Sequence, residues 1–153
     1  MRLRLRPRPL LIATAALGAA IQFVPYGHRR TSSHLGMEPA WDSGRTRDLF
    51  FRACADCHSN ETQWPWYSHV APVSWFVIRH VEEGRHKFNV SAWSTAMIDD
   101  AREAGHQVRK GKMPLRSYLL AHPAARLSAE EKAALIRGLD ATVAASSDAT
   151  AGE

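Results

Sequence analysis

The strongest constraint in this sequence is a single pentapeptide that holds its only two cysteines. It reads Cys54-Ala55-Asp56-Cys57-His58. Two residues between the cysteines place both sulfur atoms on one edge of a helical turn, and the histidine follows on the same turn. The spacing therefore predicts a short helical segment that presents two thiols and an imidazole together.

The first 26 residues predict an export segment. Residues 1–9 are rich in arginine and contain no acid, and residues 10–24 are apolar apart from Thr14 and Gln22. As a helix, the stretch 10–26 would extend roughly 25 Å, slightly less than the ~30 Å hydrocarbon core of a bilayer. Four arginines precede it and two follow it, which favours a retained anchor with the N-terminus in the cytoplasm. A signal that is cleaved after export is the alternative.

The basic charge of the chain is concentrated at this end. The sequence has a net charge of +5, with 20 basic and 15 acidic side chains. Six arginines lie in the first thirty residues, which leaves 14 basic residues against 15 acidic ones in the remainder. A surface that follows nucleic-acid phosphates would need basic residues clustered on the folded body. The charge distribution disfavours nucleic acid as a partner and favours a membrane, reached by a single N-terminal span.

An exported C-x-x-C-H pentapeptide is typical of c-type haem attachment. Cys54 and Cys57 would hold one porphyrin covalently, and His58 would bind its iron through a neutral imidazole nitrogen. A structural disulfide would close a very short loop and leave the histidine unexplained. A thioredoxin-type pair expects a βαβ setting that the sequence does not show, and a closed zinc site lacks a second cysteine pair. We therefore predict one covalently attached haem c.

The rest of the chain predicts an all-α fold. Apolar residues recur at helical spacing over 46–53, over 73–83 until Gly84, and over 94–110, and Ser128-Ala129-Glu130-Glu131 forms a capping box that starts a last helix. No period-2 alternation of useful length occurs. We predict four segments: a signal anchor (1–26), a linker (27–44), a small cytochrome c-like haem-binding domain (45–145) and a flexible tail (146–153).

A methionine and several histidines are candidates for the second axial ligand of the iron. Met113 lies between Gly111 and Pro114, on a loop rather than in a helical stripe, which favours Met113 as this ligand. The competing ligands are histidines, chiefly His80 and then His69, His86, His106 and His122.

Three aromatic residues lie in the loop that follows the pentapeptide. They are Trp64, Trp66 and Tyr67. Their rings are expected to wall the macrocycle, and their polar tips could donate to a propionate. Filling of the hydrophobic core is the alternative.

Many residues from 48 onward match one pattern. They are Cys54 to Asn60, Thr62, Trp64 to Ser68, Ala71-Pro72, Ser74-Trp75, His80-Val81, Glu83 to Arg85, Asn89, Trp93, Met113-Pro114, Tyr118 and His122-Pro123. In these residues the sequence resembles the small bacterial haem-binding domain family of cytochrome c-like proteins. The resemblance implies a helical c-type haem domain, commonly with an N-terminal membrane anchor. One departure is Arg137-Gly138, where such sequences usually have a tryptophan.

These expectations together predict a one-electron carrier at the periplasmic face of the bacterial inner membrane, acting with a redox partner protein. A soluble periplasmic protein is the alternative if the N-terminal segment is cleaved. The second functional hypothesis is a haem-based sensor or small-ligand-binding module. A haem peroxidase ranks third, and we expect no enzyme, because no acid–base pair beside a distal site can be assigned.

Overall fold

The computed structural model describes residues 7–26 and 37–151, and the regular elements in these ranges are all helical. The α-helices are α1 (Pro7–Ala20), α2 (Gly44–Ala53), α3 (Ala55–His58), α4 (Val73–Lys87), α5 (Ile98–Arg109), α6 (Arg116–Ala121) and α7 (Ala129–Ala151). Short 3₁₀ helices lie at Ile21–Phe23, Trp66–His69, Val90–Ala92, Thr95–Met97 and Pro123–Ala125. The predicted all-α fold is confirmed for this part of the chain.

The described residues form two compact units. The first, which we call the N-terminal unit, consists of residues 7–26 and 64–80. The second, the motif unit, consists of residues 37–63 and 81–151 and contains the C-x-x-C-H pentapeptide. The predicted division into anchor, linker, haem domain and tail stays a prediction.

The N-terminal unit is held together by the side-chain amide of Gln22. Its Nε2 donates to the carbonyl of Ala71 at 3.1 Å, and the Ala71 N–H donates to its Oε1 at 3.0 Å. Among residues 7–26 and 37–151, no helix combines the length and the apolar composition that crossing a bilayer requires. The predicted membrane-spanning helix over 10–26 is therefore not supported.

The motif unit is built around one hydrophobic core, in which α7 packs along α5 and also contacts α2. The buried apolar residues of this core are Leu49, Phe50, Ala53, Ala55, Phe88, Val90, Ile98, Ala101, Val108, Leu127, Leu135, Leu139 and Val143. Gly138 lies on α7 directly against the side chain of Thr46 on α2, where a Cβ atom would collide. Gly138 therefore permits a close approach of these two helices.

Local capping residues account for several helix ends. The Oγ of Ser43 accepts from the N–H of Thr46 at 3.2 Å and caps α2. The capping box at the start of α7 is confirmed, because Ser128 N–H donates to Glu131 Oε2 at 2.8 Å and Glu131 N–H donates to Ser128 Oγ at 3.1 Å. Gly111 follows α5 with φ of +66°, a conformation that favours glycine after a helix end.

Other boundaries differ from the predictions. The prediction that Gly84 ends α4 is wrong, since the helix continues to Lys87. Residues 146–151, predicted as part of a tail, lie in α7. The end of the predicted linker packs on the motif unit, where the ring centroids of Trp41 and Phe50 are 5.2 Å apart. Residues 27–36 and 152–153 of these two predicted segments lie outside the described residues.

Candidate functional site

One helical turn carries both cysteines and the histidine. The N–H of Cys54 donates to the carbonyl of Phe50 at 2.8 Å, which ties the turn to the end of α2. The carbonyl of Cys54 accepts from the N–H groups of Cys57 at 3.1 Å and His58 at 3.0 Å. Because Cys54 precedes α3 and Cys57 lies three residues later, their side chains project on the same side of this turn.

The imidazole of His58 is fixed in one orientation. Its Nδ1 lies 3.2 Å from the carbonyl oxygen of Phe88, and its ring stacks on the Phe88 ring with centroids 4.2 Å apart and an interplanar angle of 19°. A carbonyl can only accept, so the hydrogen of a neutral ring must be on Nδ1, and Nε2 keeps its lone pair. The arrangement leaves Nε2 as the nitrogen that can bind a metal.

Burial also keeps this imidazole uncharged. It lowers the pKa of His58 below its usual range, and this effect outweighs the opposing influence of the Phe88 and Gly84 carbonyls. A neutral imidazole is the form that coordinates iron. The protonation state and the orientation of His58 thus both suit an axial ligand.

The two cysteines are free thiols. Burial raises the pKa of Cys54 to about 12 and that of Cys57 to about 11, so both carry their hydrogens at neutral pH. A redox-active C-x-x-C pair instead has a thiol whose pKa is lowered, because the thiolate is the attacking species. The environment of this pair is therefore unlike that of a thioredoxin-type site.

The carboxylate of Asp56, between the two cysteines, fastens the turn to two other segments. Its Oδ1 accepts from the N–H of Gln63 at 2.9 Å, and its Oδ2 accepts from the hydroxyl of Tyr118 at 2.7 Å. Burial, and then this hydrogen bond, raise the pKa of Tyr118, so its hydroxyl stays a donor. The ring of Tyr118 in turn stacks on that of His122, with centroids 4.0 Å apart.

A guanidinium group holds the chain that leaves the turn. Arg85 donates from Nε to the carbonyl of Ser59 at 2.9 Å and from its terminal nitrogen to Thr62 Oγ1 at 2.9 Å. The hydroxyl of Thr62 donates to the carbonyl of Asp56 at 2.7 Å. These bonds connect α4 to the pentapeptide. Residues outside the turn therefore hold its shape together with its own backbone hydrogen bonds.

A second polar contact lies beside the histidine. The side chain of Asn89 donates to Asn60 Oδ1 at 2.7 Å, and the N–H of Asn60 donates to Ser91 Oγ at 3.0 Å. Asn89 directly follows Phe88, whose carbonyl faces His58. The amide pair therefore fixes the backbone that orients the imidazole.

Gly84 lets α4 approach the turn closely. A Cβ atom at this position would lie 2.5 Å from the carbonyl oxygen of Cys57 and 3.0 Å from its Cβ. Such distances are far inside van der Waals contact, so only glycine fits without a shift of the backbone. This close approach is the physical reason for a glycine inside α4.

The structure places the predicted second ligand in the loop after α5. Met113 belongs to the motif unit, its side chain is 36% exposed, and its N–H donates to the carbonyl of Gln107 at 3.2 Å. Of the competing histidines, His86, His106 and His122 are in the motif unit, and His69 and His80 are in the N-terminal unit. The assignment of Met113 as an iron ligand stays a prediction.

The aromatic loop falls in the N-terminal unit. Trp64, Trp66 and Tyr67 all belong to it, and the side chain of Trp66 is 78% exposed. A role for these rings in walling a haem stays a prediction.

Sequence reasoning assigned no role to the residues that shape the turn. The side chains of Asp56, Arg85 and Tyr118 were visible only as parts of a family resemblance. The carbonyl of Phe88 gives no signal at all, because every residue type has one.

The donor set fits a covalently held haem. Two thiols and an imidazole with a free Nε2 share one turn, as two thioether bonds and an axial ligand require. Across residues 7–26 and 37–151, no group of three or more His, Cys, Asp or Glu side chains is arranged to hold a metal ion directly.

A comparison with protein families bears on this site. The family model described as a haem-binding domain matches residues 16–141. The chain belongs to this family. As a member of the haem-binding domain family it has the pentapeptide, the Asp56–Tyr118 contact and Met113 within the matched range. The match begins inside α1, well before the part of the sequence that carried the resemblance. No curated protein and no solved structure matches the chain.

Proposed function

We propose that the chain is a c-type haem protein, with one haem attached through Cys54 and Cys57 and with His58 Nε2 as an axial ligand. The observation that carries this proposal is the contact of His58 Nδ1 with the Phe88 carbonyl, because it turns Nε2 into the available ligand. Membership of the haem-binding domain family supports haem as the cofactor. The motif supports its covalent attachment.

Each thiol would add across one vinyl group of the porphyrin. One S–C bond forms, the vinyl double bond becomes a single bond, and the thiol hydrogen goes to the neighbouring carbon. The addition needs no oxidant or reductant, provided that both thiols are reduced, and this is their state here. The contacts of Asp56 with Gln63 and Tyr118 hold the turn in shape while both bonds form.

We propose that the protein carries single electrons outside the cytoplasm of a bacterium. When bound, the haem supplies a one-electron iron couple. The Arg-rich, apolar start of the sequence supports export, and covalent attachment keeps the cofactor on an exported protein. The hydrogen bond from His58 Nδ1 to the Phe88 carbonyl would hold the imidazole in one orientation in both iron states, which would limit reorganisation during transfer.

Covalent haem can be measured on the full chain produced in a bacterial host that matures c-type cytochromes. We expect a haem-stained band on a denaturing gel and an intact mass raised by one haem. Cys54→Ser with Cys57→Ser should abolish both signals, since the sequence has no other cysteine. His58→Ala should lower the yield of haem protein strongly, whereas His34→Ala, in the predicted linker, should not.

The same samples separate the alternatives. Low-spin iron in both oxidation states that does not bind carbon monoxide supports electron transfer, whereas high-spin iron that binds it would favour a sensor. A colourless chain of unmodified mass, from a host that matures another c-type protein in parallel, would overturn the haem assignment.

The second axial ligand is tested separately. If Met113 binds the iron, Met113→Ala should convert the iron to a high-spin form or lower its reduction potential, because a thioether raises the potential of haem iron. His80→Ala is the matched variant for the rival ligand. An unchanged spectrum of the Met113 variant would remove it from the site.

A further inference from the structure

Apart from Arg8 and Thr14, helix α1 is apolar, and within the described residues nearly all of its side chains are exposed. Among its exposed residues, Leu11 is 68%, Ile12 is 69% and Leu17 is 64% exposed. A water-exposed helix of a globular protein has a polar face, and a helix without one is normally surrounded by protein or lipid. In the described part of the chain, protein does not surround it.

The polar side chains in this apolar segment are hydrogen-bonded to backbone. Thr14 Oγ1 donates to the carbonyl of Leu10 at 3.0 Å. Gln22 Nε2 donates to the carbonyl of Gly18 at 3.0 Å and to that of Ala71 at 3.1 Å, while its Oε1 accepts from the Ala71 N–H. Water would make such internal bonds unnecessary, whereas a lipid environment requires them.

Gln22 also makes the segment a structural part of the protein. Its paired bonds to Ala71 connect the chain after α1 to the segment that precedes α4. The haem-binding domain match begins at residue 16 and so includes Gln22. Both observations make Gln22 part of the folded protein.

The segment to which Gln22 binds exposes apolar side chains of its own. On α4, the buried face consists of Ser74, Ile78 and Val81, at helical spacing. Val73 and Phe76 project from a different face and are 45% and 52% exposed. This second apolar face has no role in a core.

Two more exposed apolar residues precede α4. Trp66 is 78% and Val70 is 45% exposed. With Val73 and Phe76 they lie in one stretch of the N-terminal unit, and exposed apolar residues that gather in one region mark an interaction surface. Tryptophan in particular is enriched where the headgroups of a bilayer meet its acyl chains.

We propose that the bilayer contact of the N-terminal unit extends beyond the predicted anchor segment: Trp66, Val70, Val73 and Phe76 lie at the surface of an anionic phospholipid bilayer into which α1 inserts. We call these four residues the lipid-facing patch. The four arginines at positions 2, 4, 6 and 8 match the headgroup charge, so that apolar burial and ionic attraction act together. In this proposal the ring of Trp66 contacts lipid, whereas the sequence predicted that it would wall the haem. This inference rests on the proposed function in one respect only, the location of the N-terminal unit outside the cytoplasm.

The test uses the full haem-loaded chain in vesicles of phosphatidylethanolamine and phosphatidylglycerol that contain a phospholipid with a photoreactive diazirine in its acyl chain. After illumination, trypsin releases residues 53–79, which contain the patch, and residues 117–126, which contain Leu120. Leu120 is the matched control, because it is 78% exposed but lies in the motif unit. Mass spectrometry then locates the attached lipid.

We expect lipid on residues 66–76 and none on residues 117–126. Trp66→Ser with Phe76→Ser should lower labelling of the patch several-fold, while Leu120→Ser should leave it unchanged. Equal labelling of Leu120 and of the patch would overturn the proposal. An unlabelled patch in a chain that dimerises through the patch would also overturn it. So would an intact mass that shows removal of the sequence before Gln22.

The haem content of the same samples separates the two proposals. A labelled patch in a chain without covalent haem would contradict the proposed function and leave the lipid surface supported. A fully haem-loaded chain with an unlabelled patch would overturn the lipid surface alone.

Discussion

The two units of this chain use similar residues in opposite ways. In the motif unit, Phe50 is 1% and Leu135 is 0% exposed, and they fill a core that water does not reach. In the N-terminal unit, Leu17 is 64% and Phe76 is 52% exposed. The hydrophobic effect explains the first arrangement and opposes the second in water. Burial within the protein thus organises the motif unit, whereas the exposed apolar side chains of the N-terminal unit are the observation on which the proposed lipid surface rests.

The polar contacts differ in the same sense. In the motif unit, side chains such as Asp56, Arg85 and Tyr118 form a network that fixes one functional turn. In the N-terminal unit, Thr14 and Gln22 bond to backbone groups and leave the apolar face of α1 unbroken. Polar side chains thus shape a site in the motif unit, whereas those of Thr14 and Gln22 in the N-terminal unit are hydrogen-bonded to backbone groups.

The largest expected effect comes from a matched pair of leucines. Leu135→Ala should lower the free energy of unfolding of the full chain in detergent by about 3 kcal/mol, because it leaves a cavity in the core. Leu17→Ala should change it by less than about 0.5 kcal/mol, since no packed contact is lost. Urea unfolding followed by helical circular dichroism measures both. Equal losses for the two variants would contradict the division into a packed and an unpacked unit.

A matched pair of glycines gives a smaller effect. Gly84→Ala should destabilise the protein by about 2 kcal/mol, because the new methyl group overlaps the backbone of Cys57. The displaced turn should also receive less covalent haem. Gly18→Ala introduces a methyl group with no atom within 4 Å, so helix propensity alone applies and stability should not fall. Normal haem loading of the Gly84 variant would show that the close approach does not position the turn.

Local signals in the sequence were enough for most of the helices. The residues of the capping box at Ser128 and the glycine after α5 act through their own neighbours, so the positions of these helix ends follow from a few adjacent residues. The pentapeptide likewise predicts its own turn. These elements depend on contacts that are short in sequence.

Contacts between distant residues set the features that the sequence did not predict. The glycine at position 84 predicts a helix end. In the structure it lies inside α4, where it packs against Cys57, 27 positions earlier. The tyrosine that binds Asp56 lies 62 positions away. No periodicity or spacing rule reports which carbonyl meets His58 or which segment meets Gln22, since these pairings exist only once the chain has folded.

The smallest expected effect concerns the edge of the motif unit, where the chain enters it. Glu38 accepts two hydrogen bonds from Arg47, each 2.7 Å long, and a third from Trp41 Nε1 at 2.7 Å. The bond from Arg47, above all, lowers the pKa of Glu38 below its ordinary value of 4.5. A carboxylate with a lowered pKa in the folded state stabilises the protein above its unfolded pKa, and the stabilisation disappears as the pH falls through the folded value.

Glu38→Gln should therefore cost about 0.5–1 kcal/mol at neutral pH, the range for a partly exposed ion pair with good geometry. The difference from the unsubstituted protein should shrink below about pH 4, as Glu38 itself becomes protonated. Glu103→Gln, at an exposed position of α5, is the control and should leave the pH profile unchanged. Urea unfolding between pH 3 and pH 7 measures the profile. A constant difference across this range would mean that Glu38 acts by packing of its side chain rather than by its charge. Residues 37–43 would then be held to the rest of the motif unit by their other contacts, among them the ring of Trp41 on Phe50 and the bond from the Asp42 N–H to Thr142 Oγ1 at 3.0 Å.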